Sequence, residues 1–138
     1  MMRRLIPLVA LAVAVACGSD STTQPTVASL AGTWTLQSVN GSPLPFTVTQ
    51  TGTDKVELLS DVVTASANGT YTEAVQFRTT LNGQSTTNTE SDAGTFTLNG
   101  TAVTLVGNQS GSTTGALSNG NNTLTLVEDG VVWVFIKQ

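Results

Sequence analysis

The chain has 138 residues, a length that suits one domain, and a formal net charge of −4 at pH 7 from five basic and nine acidic residues. It contains no histidine and one cysteine, Cys17. The acidic balance argues against nucleic acid as a partner, because binding to phosphates relies on cationic side chains. The lack of histidine excludes Ser-His-Asp and Cys-His catalysis and a His/Cys zinc site, and a lone cysteine excludes a disulfide within the chain.

The first sixteen residues have the pattern of a secretory signal. Met1–Arg4 carries two positive charges, and the apolar run Leu5–Ala16 follows with Pro7 inside it. A membrane-spanning helix needs about 20 apolar residues. A basic start, ~7–15 apolar residues and small residues at a cleavage site are typical of a signal peptide. Residues 1–16 are therefore interpreted as a signal peptide that is removed.

The segment Ala14-Val15-Ala16-Cys17 closes this signal and resembles the lipobox of bacterial lipoproteins. The resemblance implies that Cys17 becomes the first mature residue and carries a diacylglycerol and an acylated amine. Two or more acyl chains anchor a protein stably to a membrane. Gly18 follows, and not the aspartate that retains such proteins in the inner membrane, so the resemblance favours the outer membrane of a bacterial cell envelope, facing the periplasm or the surface. An ordinary signal peptide cut elsewhere is the alternative.

Residues 17–29 are interpreted as the lipidated cysteine and a flexible linker, since Gly18–Ala28 is mostly polar. The domain is then predicted to span residues 30–138. Loss of Arg3 and Arg4 with the signal makes the mature chain more acidic, so the tether and not the domain surface would hold it at an anionic membrane.

From Leu30 onward the sequence favours β-structure, because β-branched residues dominate and turn dipeptides recur. Asn-Gly and Asp-Gly suit two-residue hairpin turns, and they occur at Asn40-Gly41, Asn68-Gly69, Asn82-Gly83, Asn99-Gly100 and Asp129-Gly130. The predicted strands are Thr33–Val39, Phe46–Gln50, Lys55–Ala65, Thr70–Leu81, Ser85–Leu98 with a break near Ser91-Asp92, Ala102–Val106, Thr113–Leu117, Thr123–Glu128 and Val131–Lys137.

These short strands predict an all-β fold, a single antiparallel up-and-down β-barrel of about eight to nine strands. Closure into a barrel removes exposed strand edges. The last strand, Val131–Lys137, is apolar on both faces, so we expect it to be covered on both.

The run from Leu30 to Gly41 opens with Gly32-Thr33-Trp34, which resembles the Gly-x-Trp signature of lipocalins and their calycin relatives. The resemblance implies a lipocalin-like barrel in which Trp34 closes one end and packs beneath a basic residue near the last strand. Lys137 is the residue at that place, and a cation over an indole ring is physically favourable. A META-type domain, which also opens with Trp-x-Leu and an Asn-Gly turn, is the alternative fold; its Gly-Cys-Asn segment is absent here.

The carboxylates give weak signals for chemistry. Val56, Leu58 and Val62 are predicted to share one face of their strand. Glu57 and Asp61 are predicted on the opposite face, which is the solvated exterior. Calcium binding at Asp92 with Glu90 is a weaker interpretation than plain solvation, since EF-hand spacing is absent. We therefore expect no enzyme activity, no cofactor and no metal site.

Two functions remain open. The barrel is either a monomeric binding module for a small apolar or amphipathic ligand, or a filled barrel that serves as a structural or protein-interaction module of the envelope. An eight-stranded barrel has room for one small ligand. The candidate lining residues are Val75, Phe77, Phe96, Leu98, Leu105, Leu124 and Leu126.

Overall fold

The structure, a computed structural model, describes residues 29–138; the predicted signal peptide, Cys17 and all of the predicted linker up to Ala28 lie outside the described residues. Residues 29–138 form strands and no helix, and thus no helix that is long and apolar enough to cross a membrane. The strands are β1 (Gly32–Val39), β2 (Ser42–Pro43), β3 (Phe46–Thr51), β4 (Asp54–Ala65), β5 (Thr70–Leu81), β6 (Gln84–Asn99), β7 (Ala102–Gly107), β8 (Gly111–Ser118), β9 (Thr123–Glu128) and β10 (Val131–Lys137).

Eight of these strands close into an antiparallel barrel. From β4 to β10 each strand pairs with the next one along the chain, and β1 closes the ring by pairing with β10 on one side and β4 on the other. Where β1 and β4 diverge, the short β2 pairs with the end of β1 and β3 pairs with the start of β4. The predicted all-β, up-and-down barrel is confirmed.

The Asn-Gly and Asp-Gly turns explain why the chain reverses where it does. Asn40 and Gly41 have φ angles of 50° and 78° and join β1 to β2. The Asn82-Gly83 and Asp129-Gly130 turns also have both residues at positive φ. This is the backbone of a type I′ hairpin turn, which matches the twist of the two strands that it connects. The other two dipeptides differ, because only their glycines have positive φ.

The predicted break near Ser91-Asp92 is wrong. β6 runs unbroken through Ser91 and Asp92, and it pairs with β5 from Thr70↔Thr95 to Leu81↔Gln84 without a register shift. Serine and aspartate are poor strand formers, but a long ladder with one neighbour overrides that local preference. β6 pairs with β7 only from Gly94 onward. The first part of β6 therefore pairs with β5 alone, and this part of the β5–β6 hairpin projects beyond β7.

An irregularity in β4 decides which side chains enter the barrel. The register with β5 shifts between Leu58 and Ser60, so one extra residue is inserted there. Such a bulge reverses the alternation of inner and outer faces. Leu58 is buried before the bulge and Val63 after it, whereas Val62 lies on the outer face. The prediction that Val62 shares a face with Leu58 is wrong for this reason.

The expected double cover of β10 is also not observed among the described residues. Phe135 points into the barrel and is buried, but Val132, Val134 and Ile136 on the outer face are only half-buried. The outer side of a barrel wall faces solvent unless another element covers it, and none of residues 29–138 forms a second layer there.

Candidate functional site

The barrel contains a cavity of about 200 Å³ between its apolar core and one of its ends. Side chains from β4, β5, β7, β8, β9 and β10 and from the turn between β7 and β8 reach it, so the closed barrel is what brings these distant parts of the chain together. Its walls mix aromatic and aliphatic groups with three carboxyl groups. The lining residues are Asp61, Tyr71, Glu73, Val75, Phe77, Leu105, Ser110, Thr113, Leu126, Glu128, Trp133 and Phe135.

The structure divides the seven predicted lining residues into two groups. Val75, Phe77, Leu105 and Leu126 line the cavity. The other three point inward but belong to the adjoining core: Leu124 is fully buried there, and Phe96 and Leu98 pack against it. Alternation along the strands identified side chains that face the barrel interior. It could not separate cavity from core, because period-2 patterning reports the face of a strand and not the position along the barrel axis.

Two carboxyl groups meet on the inner wall. Asp61 pairs with Val75 across β4 and β5, and Val63 pairs with Glu73, so Asp61 and Glu73 are diagonal neighbours on one face. Asp61 is only 4% exposed. The prediction that it is solvated on the exterior is wrong, because the bulge before it turns its side chain inward.

Burial dominates the electrostatics of this pair. Loss of hydration, the charge of Glu73 and a hydrogen bond with the Glu73 carboxyl group together raise the pKa of Asp61 to about 8, and loss of hydration is the largest of these causes. The pKa of Glu73 is also raised, chiefly by burial, with the charges of Asp92 and Glu128 acting in the same direction. Near neutral pH the pair therefore retains a proton that two exposed carboxyl groups would have lost.

Two buried polar atoms in the cavity wall have no hydrogen-bond partner among residues 29–138. They are Oδ1 of Asp61, an acceptor, and Nε1 of Trp133, a donor. A buried polar group without a partner costs about 1–3 kcal/mol. Both residues line the same cavity, so a molecule inside it would have an acceptor and a donor available.

Tyr71 and Glu128 complete the polar part of the wall. Burial raises the pKa of the Tyr71 phenol, which keeps it protonated and able to donate a hydrogen bond. Glu128 ends β9 on the same face as Leu124 and Leu126, and it is half-buried. The cavity is thus apolar on its β7 and β10 walls and acidic where β4, β5 and β9 reach it.

The basic side chains of residues 29–138 lie outside the cavity. Lys55 and Arg78 lie on the outer face, where each is 2.8 Å from a carboxylate oxygen of Glu57. Glu57 is on the exterior as predicted, but the two cations cover it, so it is not freely solvated. The pKa of Glu57 is lowered chiefly by the hydrogen bond from Lys55, and Arg78 acts in the same direction. No cation among residues 29–138 lines the cavity.

Lys137 is at the opposite, closed end of the barrel. Its Nζ lies 5.3 Å from the centre of the Trp34 ring, and its side chain packs against Gly32, where a Cβ atom would be 2.7 Å from Cε. Trp34 is fully buried and donates a hydrogen bond of 2.7 Å from Nε1 to the carbonyl of Leu30. Gly32, Trp34 and Lys137 are thus in mutual contact and away from the cavity.

Asp92 stabilises a turn. Its carboxylate accepts hydrogen bonds from the backbone N–H groups of Gln109 and Ser110 and from the Ser110 hydroxyl, at 2.8 to 3.3 Å. The hydrogen bond from the Ser110 hydroxyl is the main reason why the pKa of Asp92 falls to about 2. Within residues 29–138, no group of three acidic or cysteine side chains is arranged to hold a metal ion.

Sequence reasoning missed the polar lining, although part of it carried a signal. Glu73 alternates in phase with Val75 and Phe77, and Glu128 alternates in phase with Leu126, so period-2 patterning places both inside. Asp61 carried no such signal, because the bulge that redirects it leaves no clear mark in the sequence.

No model of a known protein family matches the sequence, and no curated protein sequence is significantly similar to it. Among solved structures, this chain is similar to a lipocalin-like protein from Bacteroides uniformis, with 15% sequence identity and a TM-score of 0.46. The match covers 79% of this chain and 98% of that one.

Proposed function

We propose that this protein is a bacterial lipoprotein that acyl chains on Cys17 hold at the envelope membrane, and that its non-catalytic, lipocalin-like barrel binds one small amphipathic molecule. The cavity inside the barrel carries the binding half of this proposal. It has apolar walls for a hydrocarbon part and two unsatisfied polar atoms for a polar part. Small-molecule sites combine these same features.

The size of the cavity limits the ligand. Pockets for drug-sized molecules measure ~300–1,000 Å³, whereas this one measures about 200 Å³. A molecule with a short hydrocarbon chain or one ring fits this volume. Phe77 and Phe135 would contact the apolar part, since they form aromatic walls of the cavity.

The anchoring half of the proposal rests on the sequence from Met1 to Cys17. Expression in a bacterium that processes lipoproteins should yield a mature chain that begins at Cys17 and has the added mass of acyl chains. Intact-mass spectrometry of the membrane fraction measures this directly. A Cys17→Ser variant should lack the acyl mass and leave the membrane fraction. An unmodified N-terminus, or a start at another residue, would overturn the anchor.

Calorimetric titration of the purified protein with 1-hexanol, hexylamine and hexanoate tests the binding site. At least one of these six-carbon compounds should bind with one-to-one stoichiometry. A Leu126→Trp variant, which fills the cavity, should weaken that binding about tenfold or more, equal to at least ~1.4 kcal/mol.

Val127→Trp is the matched control, because the neighbouring Val127 lies on the outer face and is 44% exposed. It should leave the affinity unchanged. Circular dichroism establishes that both variants are folded. Absence of binding by all three compounds, or equal effects of the two tryptophan substitutions, would contradict the site.

A further inference from the structure

The charge inside the barrel is unbalanced. Asp61, Glu73 and Glu128 line one cavity, and no cation of residues 29–138 lines it with them. The cations of this part of the chain are committed to Glu57 on the outer face and to the Trp34 ring at the closed end. Buried carboxyl groups are normally paired or hydrogen-bonded. A proton held by the carboxyl groups, or a positively charged ligand, would balance the charge of this part of the cavity.

One of the two buried atoms that lack a partner among residues 29–138 belongs to this acidic group. Asp61 is more than nine-tenths buried, lines the cavity and leaves Oδ1 without a hydrogen bond. An ammonium group is a donor only, so it would satisfy Oδ1 of Asp61, whereas Nε1 of Trp133, itself a donor, gains no partner from it. Tyr71, Phe77 and Trp133 also line the cavity, and aromatic rings can attract a cation.

We propose that the cavity selects a small organic cation, a protonated primary amine with a short apolar tail, whose ammonium group lies against the carboxyl groups of Asp61 and Glu73. This inference rests on the proposed binding function and names the class of ligand. The apolar tail contacts the side of the cavity that Leu105, Leu126 and Phe135 form. Among residues 29–138 the carboxyl groups do not form a cluster suited to a metal ion, which favours an extended organic cation over a point charge.

Binding of such an amine is coupled to proton release. The free Asp61–Glu73 pair holds a proton near neutral pH, because burial raises the pKa of both groups. The ammonium group replaces that proton as the counter-charge, and the proton goes to solvent. A primary amine stays protonated up to about pH 10. The affinity for the amine therefore increases as the pH rises from 6 to 8.

The other polar groups around Asp61 favour a positively charged ligand. Glu73 and Tyr71 reach the cavity from β5 and Glu128 from β9. Asp92 on β6 contributes a further negative charge near Glu73. The negative charges of Asp92 and Glu128 favour an ammonium over a neutral or anionic ligand, and the uncharged Tyr71 phenol does not oppose it.

The same six-carbon series tests the inference by calorimetry at pH 7.5. Hexylamine should bind about 10- to 100-fold more tightly than 1-hexanol, since hydrogen bonds to charged groups add about 1.5–3 kcal/mol, and hexanoate should bind more weakly than either. Titrations in buffers of different ionisation enthalpy should reveal proton release with the amine and none with the alcohol.

An Asp61→Asn variant should lose the preference for hexylamine over 1-hexanol and the pH dependence, and Glu73→Gln should reduce both. Glu90→Gln, a substitution of an exposed carboxylate on the β5–β6 hairpin, is the matched control and should change neither. If 1-hexanol or hexanoate binds as tightly as hexylamine, the amine inference fails while the binding function stands. If none of the three binds, both fail. An Asp61→Asn variant with unchanged selectivity would also overturn the inference.

Discussion

Replacing Trp34 with alanine should lower the free energy of unfolding by about 3–5 kcal/mol, the range for large aromatic-to-alanine changes in a core. Trp34 is fully buried and is the largest side chain of the core. The substitution leaves a cavity, deprives the Leu30 carbonyl of its 2.7 Å hydrogen bond and removes the ring beneath Lys137. A typical domain is stable by only ~5–15 kcal/mol, so a large share of the total stability would be lost.

Urea denaturation followed by far-UV circular dichroism measures this effect without relying on tryptophan emission. Trp34→Phe is the informative control, because it keeps an aromatic ring but removes the N–H donor. Its cost should be smaller than that of Trp34→Ala and should include about 1–3 kcal/mol for the unsatisfied carbonyl. A loss of less than about 1 kcal/mol for Trp34→Ala would contradict the placement of Trp34 at the centre of a packed core.

The stability of the protein should decrease as the pH rises from about 5 to 7. The pKa of Asp61 is about 8 in the folded protein and near 3.8 when unfolded. Between these values the folded state binds a proton that the unfolded state has released, so the free energy of unfolding decreases with pH. One proton corresponds to about 1.4 kcal/mol per pH unit, and Glu73 acts in the same direction because its pKa is also raised.

At lower pH the slope reverses. The pKa values of Asp92 and Glu57 are lowered in the folded protein, so the stability that these groups contribute is lost as the pH falls through those values. The two opposing trends place the maximum of stability near pH 4–5. Urea midpoints measured in steps of half a pH unit would show this maximum.

Asp61→Asn should flatten the slope between pH 5 and 7 and raise the stability at pH 7 by roughly 2–4 kcal/mol. Asparagine has nearly the same shape as a protonated aspartic acid but cannot ionise. Glu90→Gln should leave the slope as it is, because Glu90 is exposed. A wild-type protein whose stability is constant or increasing from pH 5 to 7 would show that Asp61 is not buried in the way that the cavity requires.

Most of the fold could be predicted from the sequence, because local chemistry specifies it. The Asn40-Gly41, Asn82-Gly83 and Asp129-Gly130 turns adopt positive φ at both residues, as such dipeptides favour. They bound strands whose alternation assigns most faces correctly. The closing pairs between β1 and β4 follow from the same alternation, since an open sheet would expose the apolar face that includes Trp34 and Val63.

The errors arose where tertiary structure overrides local preference. Ser91 and Asp92 are poor strand formers, but they continue β6 because β5 offers a complete row of partners. The bulge near Leu58 reverses the faces of β4 and places Asp61 inside. Half of the candidate site was therefore predictable, namely its apolar wall, whereas the buried carboxyl pair depended on one inserted residue.

The central claim is that a small amphipathic molecule binds inside the barrel, and methyl NMR with labelled valine and leucine tests it most directly. On addition of hexylamine, intermolecular NOEs should connect the ligand to the methyl groups of Val75, Leu105 and Leu126, which line the cavity. Val106 and Val127 on the outer face, 48% and 44% exposed, should show none. NOEs confined to the outer valines, or none at any methyl group at saturating ligand, would contradict the account.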